Sequence, residues 1–182
     1  AQIEPHFLFN TLANVSALIR SDPPRAEQLL SHLNAFLRAT LQRSRVEAST
    51  LSDEMALVRD YLSIIELRMG TRLQWSVDVP DELLRLPFPM LLLQPLIENA
   101  VKHGIEPKRG GGSVALRAWQ DGQRLWLEVA DSGIGLTPQP SGTGFGLDNV
   151  RQRLNAHYGQ AARLQLNANA SGGATATLEI PL

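Results

Sequence analysis

Apolar residues recur at helical spacing through the first seventy residues of the chain. Leu8, Leu12, Val15 and Ile19 form one stripe, which stops at the two prolines of the segment SDPPR. Two further stripes follow, at Leu29, Leu30, Leu33, Leu37 and Leu41 and at Met55, Val58, Leu62, Ile65 and Met69. The pattern predicts three amphipathic helices, the last of which ends at Gly70.

The pattern changes after residue 70 to the alternation that is typical of half-buried strands. LQWSVDV predicts one strand, and SVALRAWQDGQRLWLEV predicts a hairpin about an Asp-Gly turn. RLQLNANASGGATATLEIPL repeats this hairpin pattern at the end of the chain, and residues 88–104 and 147–158 are predicted helices. We therefore expect an α+β fold with two parts, a helical region at 1–70 and a layer of helices on a mostly antiparallel sheet at 71–182.

Composition restricts the class of protein. The 182 residues are 43% hydrophobic with a net charge of −1, and no basic cluster indicates nucleic-acid binding. Without cysteine there is no disulfide, thiol nucleophile or Cys-ligated metal. Three apolar stripes within seventy residues are more than the segment can bury alone, so the helical region is predicted to form an intermolecular bundle.

No segment has the length of a membrane span. The longest apolar run, FPMLLLQPLI, is too short and is interrupted by Gln94 and Pro95. The chain starts within a helical pattern and without methionine, so we interpret it as a fragment of a longer protein.

The predicted helix LLLQPLIENAVKHG carries an unusual polar face. Glu98, Asn99, Lys102 and His103 fall within an arc of about 140° on a helical projection. Periodicity alone favours an ordinary amphipathic surface helix. However, a carbonyl oxygen beside an ammonium and an imidazole group also suits a polyphosphate with its Mg²⁺.

A second polar motif, EVADSGIGL, closes a predicted strand. The strand ends at Asp131, and Gly133 and Gly135 follow it directly. Such a segment can be an ordinary turn. It can equally provide a buried carboxylate that accepts a hydrogen bond from an amino group, with glycines that let a flat ring approach the backbone.

The third motif is the glycine-rich segment TPQPSGTGFGLDNVRQRL. Gly142, Gly144 and Gly146 lead directly into a helix, and glycine amides at a helix N-terminus favour phosphate binding. The spacing fits neither a P-loop nor a dinucleotide-binding fingerprint. A flexible linker is the alternative, although linkers rarely run straight into an amphipathic helix.

The order of these motifs resembles the N, G1 and G2 boxes of the Bergerat-fold (GHKL) ATP site of sensor histidine kinases. QIEPHFLFNTL resembles the phosphoacceptor box of the LytS/AlgZ-type kinases, and LVRDYLSIIELRMG and SGGATATLEIPL also resemble segments of that family. The resemblance implies a helical dimerisation region followed by a Bergerat-fold α/β sandwich with a mixed, mostly antiparallel sheet.

The resemblance also implies a role for individual residues, with ATP and Mg²⁺ as cofactors. Asn99 would hold Mg²⁺, and Lys102 and His103 would face the phosphates. Asp131 would accept from the adenine amino group. The remaining nucleotide-binding residues would be those beneath the ring and in the mobile lid with its following leucine, namely Gly133, Gly135, Gly142, Gly144, Gly146 and Leu147.

His6 would be the phosphoacceptor. Phe7 stands where better-known kinases carry an acidic residue, so Glu4 and Asn10 are the polar groups considered as its helpers. Pro95 occupies the position of the glutamate that activates water in related ATPases, which favours transfer to a side chain over hydrolysis.

The expected function is that of a two-component sensor histidine kinase, which passes the phosphoryl group from its histidine to a response-regulator aspartate. The family suggests a homodimer through residues 1–70, a regulator with a LytTR DNA-binding domain, and a place as the cytoplasmic portion of an inner-membrane protein. The alternatives are a gyrase- or chaperone-like ATPase of the same fold and a degenerate kinase that serves as a dimeric scaffold.

Overall fold

The computed structural model describes residues 5–43, 49–136 and 145–182. Three helices come first: α1 (Pro5–Ser21), α2 (Pro23–Arg43) and α3 (Leu51–Met69). Thr50 and Asp53 form a capping box that begins α3, and Gly70, with φ of 61°, ends it. The three predicted N-terminal helices are confirmed.

The remaining described residues form a five-stranded sheet and two helical segments. In chain order these are β1 (Leu73–Asp78), α4 (Gln94–Asn99, extended by a π-helical turn at Ala100–Ile105), β2 (Gly112–Asp121), β3 (Arg124–Asp131), α5 (Phe145–Tyr158), β4 (Arg163–Ala168) and β5 (Ala174–Pro181). The strand order is β1-β2-β3-β5-β4. Because β1 runs parallel to β2 and every other pair is antiparallel, the predicted mixed, mostly antiparallel sheet is confirmed.

One continuous apolar core extends through the helices and one face of the sheet. Phe7 of α1, Phe36 of α2 and Tyr61 of α3 pack with ring centroids between 5.2 and 6.1 Å apart. Helix α3 also contacts β1 and α4, so it packs against both the helical hairpin and the sheet layer. The division of the chain at residue 70 stays a prediction.

The first two helices leave a second apolar stripe uncovered. Val15, Leu29 and Leu33 are buried, whereas other residues of the predicted stripes are exposed. The large apolar residues that are exposed on α1 and α2 are Phe9, Leu12, Ile19, Leu30 and Leu41. We call these five residues the outer stripe.

The segment predicted as one helix over residues 88–104 is helical only from Gln94. Leu91 has a φ of 58°, which is incompatible with a right-handed helix. The carboxylate of Glu54, fully buried on α3, accepts hydrogen bonds from the backbone N–H groups of Leu91 at 2.5 Å and Leu93 at 3.0 Å. These contacts hold the chain in a turn before α4 begins.

Within 5–43, 49–136 and 145–182, no helix combines the length and apolar character that crossing a bilayer requires.

Candidate functional site

A pocket of about 220 Å³ lies between α4, its π-helical extension, β3, β5 and the start of α5. Its lining includes Asn99 and His103 from the first motif, Asp131 and Gly135 from the second, and Leu147 from the third. Residues separated by almost fifty positions in the sequence thus meet at one site. A larger cavity of about 590 Å³ between α2, α3 and β1 contains none of these motifs.

Asp131 is the last residue of β3 and is buried in the wall of the pocket. The backbone N–H of Gly133 donates to its Oδ1 at 2.8 Å. Burial raises the pKa of the Asp131 carboxyl above its ordinary value, although hydrogen bonds from Gly133 and Ala174 and the charge of Lys108 oppose this rise. The side chain is a hydrogen-bonding group held at a fixed place in an apolar setting.

Close backbone packing explains the glycines around this carboxylate. A Cβ atom added to Gly133 would lie 2.3 Å from backbone atoms of Gly104. The two backbone segments can therefore come this close only because residue 133 has no side chain. Gly135 has a φ of 79° and lines the pocket, whereas Gly133 lies beneath it against Gly104. Gly104 ends the first sequence motif but is not among the site residues predicted from it.

The polar face of α4 is divided by its π-helical turn. Asn99 and His103 line the pocket, whereas Lys102 is exposed and is not among the lining residues. The turn from Ala100 to Ile105 is π-helical, with hydrogen bonds to the fifth residue before, such as the bond from Glu106 N–H to Val101 O. The smaller rotation per residue turns Lys102 away from Asn99 relative to an ideal α-helix.

The glycine-rich motif is described only in part. Leu147 lines the pocket and Gly146 is exposed in the first turn of α5. Gly142 and Gly144 lie outside the described residues, as does Glu4. Val150 and Leu154 are buried and anchor α5 to the core.

His6 lies in the first turn of α1 with its side chain exposed. The Nδ2 atom of Asn10 is 3.2 Å from Nδ1 and 3.3 Å from Nε2 of the imidazole, so the amide lies about equally close to both ring nitrogens. Phe7 points the other way, into the aromatic cluster with Phe36 and Tyr61. Among the described residues, the imidazole is therefore presented to solvent with Asn10 as its polar neighbour.

Sequence reasoning missed the apolar walls of the pocket and Asn169. Leu96, Leu166 and Ala176 line the pocket between the polar groups. Asn169 hydrogen-bonds to the backbone carbonyl of Asp131 at 2.8 Å. Its sequence context, an asparagine before Ala-Ser-Gly-Gly, is typical of a turn and carries no sign of this contact.

Comparisons with known proteins agree with this arrangement. Residues 1–73 match the family model described as histidine kinase, and residues 86–182 match the one described as histidine kinase-, DNA gyrase B-, and HSP90-like ATPase. The sensor histidine kinase BtsS of Escherichia coli K12 is 37% identical over 181 residues, which are 100% of this chain and 32% of that protein. The sensor histidine kinase/phosphatase LytS of Staphylococcus aureus MRSA252 is 33% identical, over 94% of this chain and 32% of its own length.

The chain thus spans about a third of the length of the curated relatives it matches. Among solved structures, the histidine kinase domain of the blue-light activated kinase of Erythrobacter litoralis EL346 shares the fold, with a TM-score of 0.56 and 21% identity over 87% of this chain and 75% of that one. The pocket and both halves of the sequence lead to one conclusion: the chain belongs to the sensor histidine kinase family, in the group that contains BtsS, YpdA and LytS.

Proposed function

We propose that this chain binds ATP with Mg²⁺, transfers the γ-phosphoryl group to His6 and passes it on to an aspartate of a response regulator. The observation that carries the proposal is the single pocket in which Asn99, Asp131 and Leu147, from three distant motifs, come together. The family to which the chain belongs supports the same activity.

The base would bind at the Asp131 end of the pocket. The carboxylate is an acceptor suited to the amino group of adenine, and Leu96, Leu166 and Ala176 provide an apolar surface for the ring. Gly135 lines the pocket beside them, where its missing side chain leaves space for a flat ring.

The phosphates would bind towards Asn99 and His103. The described residues contain no cluster of three His, Asp or Glu side chains that could hold a metal by themselves. This fits Mg²⁺, which in nucleotide sites takes few protein ligands beside phosphate oxygens and water, so Asn99 would supply the protein oxygen. When bound, the ion would neutralise phosphate charge; Lys102 and the lid glycines Gly142, Gly144 and Gly146 would add donors at the same end.

His6 lies on α1, whereas all residues that line the pocket follow α3 in the chain. Transfer therefore requires the pocket to approach a His6 side chain. A lone pair on the imidazole would form the N–P bond while the bond from the γ-phosphorus to the β-phosphate oxygen breaks and ADP leaves. One proton then leaves the imidazolium ring. Neutral imidazole is a competent nucleophile near pH 7, and Asn10 would orient the ring.

The partners of this reaction are part of the proposal. The outer stripe on α1 and α2 would form a homodimer, as the helical region of the sequence predicts. The regulator would carry a LytTR DNA-binding domain, and the parent protein would be anchored in the inner membrane with this portion in the cytoplasm.

Labelling with γ-³²P-ATP tests the phosphoacceptor. His6→Gln removes the nucleophile and leaves the pocket intact, so we expect acid-labile labelling to disappear while ATP binding is unchanged. His157→Gln, at an exposed histidine of α5, is the matched control and should label as the wild type does. Labelling that persists in His6→Gln would show that another residue is the acceptor.

The two alternatives make different predictions in the same experiment. A gyrase- or chaperone-like ATPase would release phosphate steadily without a phosphoprotein, and Pro95 at the position of the water-activating glutamate disfavours it. A scaffold without kinase activity would fail to bind ATP in a titration.

A further inference from the structure

Asn169 follows β4 and begins the turn that joins it to β5. The two halves of its amide bind different groups. Nδ2 donates to the backbone carbonyls of Asp131 at 2.8 Å and Ala174 at 3.0 Å. Oδ1 accepts from the hydroxyl of Ser171 at 2.7 Å and from the backbone N–H of Gly173 at 3.0 Å. A single side chain thereby ties the turn to the strand end that carries Asp131.

The backbone of the turn packs directly against Asp131 and Gly135. A Cβ atom on Gly173 would lie 2.0 Å from the backbone oxygen of Asp131 and 2.6 Å from its Oδ1. A Cβ atom on Gly135 would lie 2.7 Å from the backbone oxygen of Gly172. Movement of the turn would therefore displace both Asp131 and Gly135, which line the pocket.

We propose that Asn169 is a positioning residue that holds Asp131 in register with the nucleotide base and thereby sets the preference for adenine over guanine. This inference rests on the proposed function, since it concerns the base of the same nucleotide. Asn169 is not among the residues that line the pocket, so it acts through Asp131 rather than by touching the ligand.

The chemistry of the two bases explains why position matters. Adenine carries an amino group at the ring position where guanine carries a carbonyl oxygen. A carboxylate at a fixed place accepts a hydrogen bond from the first and repels the second, and a site built around one such contact discriminates strongly. A carboxylate that can shift by a fraction of an ångström weakens both effects.

The two halves of the amide can be separated by substitution. Asn169→Asp keeps the oxygen that accepts from the turn and replaces the donor with an oxygen facing the carbonyls of Asp131 and Ala174. Asn169→Ala removes both halves, and Asn169→Ser keeps a turn-forming hydroxyl that is too short to reach Asp131. Asn167→Ala, at an exposed asparagine two residues earlier on β4, is the matched control.

Calorimetric titration of this chain with ATP and with GTP, each with Mg²⁺, measures the ratio of the two affinities, which is the ATP-to-GTP preference. We expect Asn169→Asp, Asn169→Ala and Asn169→Ser to lower ATP affinity by about tenfold, the effect of one lost hydrogen bond in a buried site. GTP affinity should stay the same or rise, because the repulsion of guanine weakens as well. The ATP-to-GTP preference should therefore fall in all three variants and stay unchanged in Asn167→Ala. Thermal unfolding of each variant identifies any that does not fold, and Asn169→Ser supplies the result if the other two fail.

The outcomes separate this inference from the proposed function. If the wild type prefers ATP and Asn169→Asp or Asn169→Ser keeps that preference, Asn169 only holds the turn and the inference is wrong while the function stands. If the wild type binds neither nucleotide, the proposed function fails and the inference fails with it. A purely structural role would lower the melting temperature without changing the ratio.

Discussion

At the scale of single residues, Asp131 illustrates a conflict between function and stability. Its carboxyl group is buried at the end of β3, and burial raises its pKa above the ordinary value of 3.8. A pKa that is higher in the folded than in the unfolded state means that the folded state binds more protons between the two values. The ionised carboxylate therefore destabilises the fold, fully so above the folded pKa.

Asp131→Asn should remove this destabilisation and the base contact together. We expect the variant to melt at a higher temperature than the wild type at pH 7, a difference that shrinks as the pH falls through the raised pKa towards 3.8. ATP affinity should fall by about tenfold or more, because an amide presents a donor where adenine needs an acceptor.

Melting curves over a pH series and a nucleotide titration measure the two effects separately. Asp121→Asn, at an exposed residue that ends β2, is the control and should change neither quantity. Lower stability of Asp131→Asn at pH 7 would contradict the account of the buried charge.

The limits of sequence reasoning at this scale are visible in Asn99, Lys102 and Asn169. Asn99 was predicted for the site because its motif is specific, and it lines the pocket. Lys102 was placed beside it by an ideal helical projection, which cannot anticipate a π-helical turn. Asn169 forms one hydrogen bond to Asp131, 38 positions away, and others within its own turn, and only those within the turn resemble a local sequence pattern.

At the scale of elements, α4 depends on a side chain from another helix. No side-chain cap from its own sequence begins α4. Glu54 of α3 accepts instead from Leu91 and Leu93 just before it, and Arg153 of α5 donates to the backbone oxygen of Met90 at 2.7 Å. The turn that precedes the Asn99 helix is thus held by α3 and α5, which explains why apolar periodicity alone placed the start of the helix too early.

Glu54→Ala should therefore destabilise the fold strongly. The substitution leaves two backbone N–H groups without their acceptor and opens a cavity, at a cost of about 1–3 kcal/mol for each unsatisfied donor. Urea denaturation should show a lower midpoint, and ATP affinity should fall because α4 carries Asn99. Glu82→Ala, at an exposed glutamate, is the control and should shift the free energy of unfolding by less than about 0.5 kcal/mol. An unchanged midpoint for Glu54→Ala would mean that α4 holds its place by apolar packing alone.

At the scale of the whole molecule, the sequence predicted the class of fold and the sheet type because alternation and helical spacing are strong in this chain. It could not predict which apolar residues a single chain buries. Leu12 and Leu33 belong to equally regular stripes, yet Leu33 is buried and Leu12 is exposed. Periodicity shows that a face is apolar, whereas only the packing of α1, α2 and α3 decides which apolar face is covered within the chain.

The proposed homodimer would use the outer stripe, whose members are spaced for a helix-helix contact. Phe9 and Leu12 are three residues apart, and Leu12 and Ile19 seven; Leu30 and Leu41 follow the same face of α2. Phe9 is 69% and Leu41 65% exposed, and contact of these large apolar side chains with water is unfavourable in a monomer. In a two-fold dimer each residue of the outer stripe is buried in both protomers, so one substitution changes the interface at two places.

Leu30→Asp should therefore convert a dimer to a monomer. Burying one leucine contributes about 1.5–3 kcal/mol, and its loss from both protomers raises the dissociation constant on the order of 100-fold or more. Sedimentation equilibrium of wild type and variant measures the change, with Ser31→Asp, at the adjacent exposed residue on another side of α2, as the control. A wild type that sediments as a monomer, or a Leu30→Asp variant that dimerises as tightly as Ser31→Asp, would place the dimer contact elsewhere. Because Leu30 is exposed in the single chain, its substitution should leave the melting of a monomeric chain almost unchanged, and this separates loss of association from loss of folding.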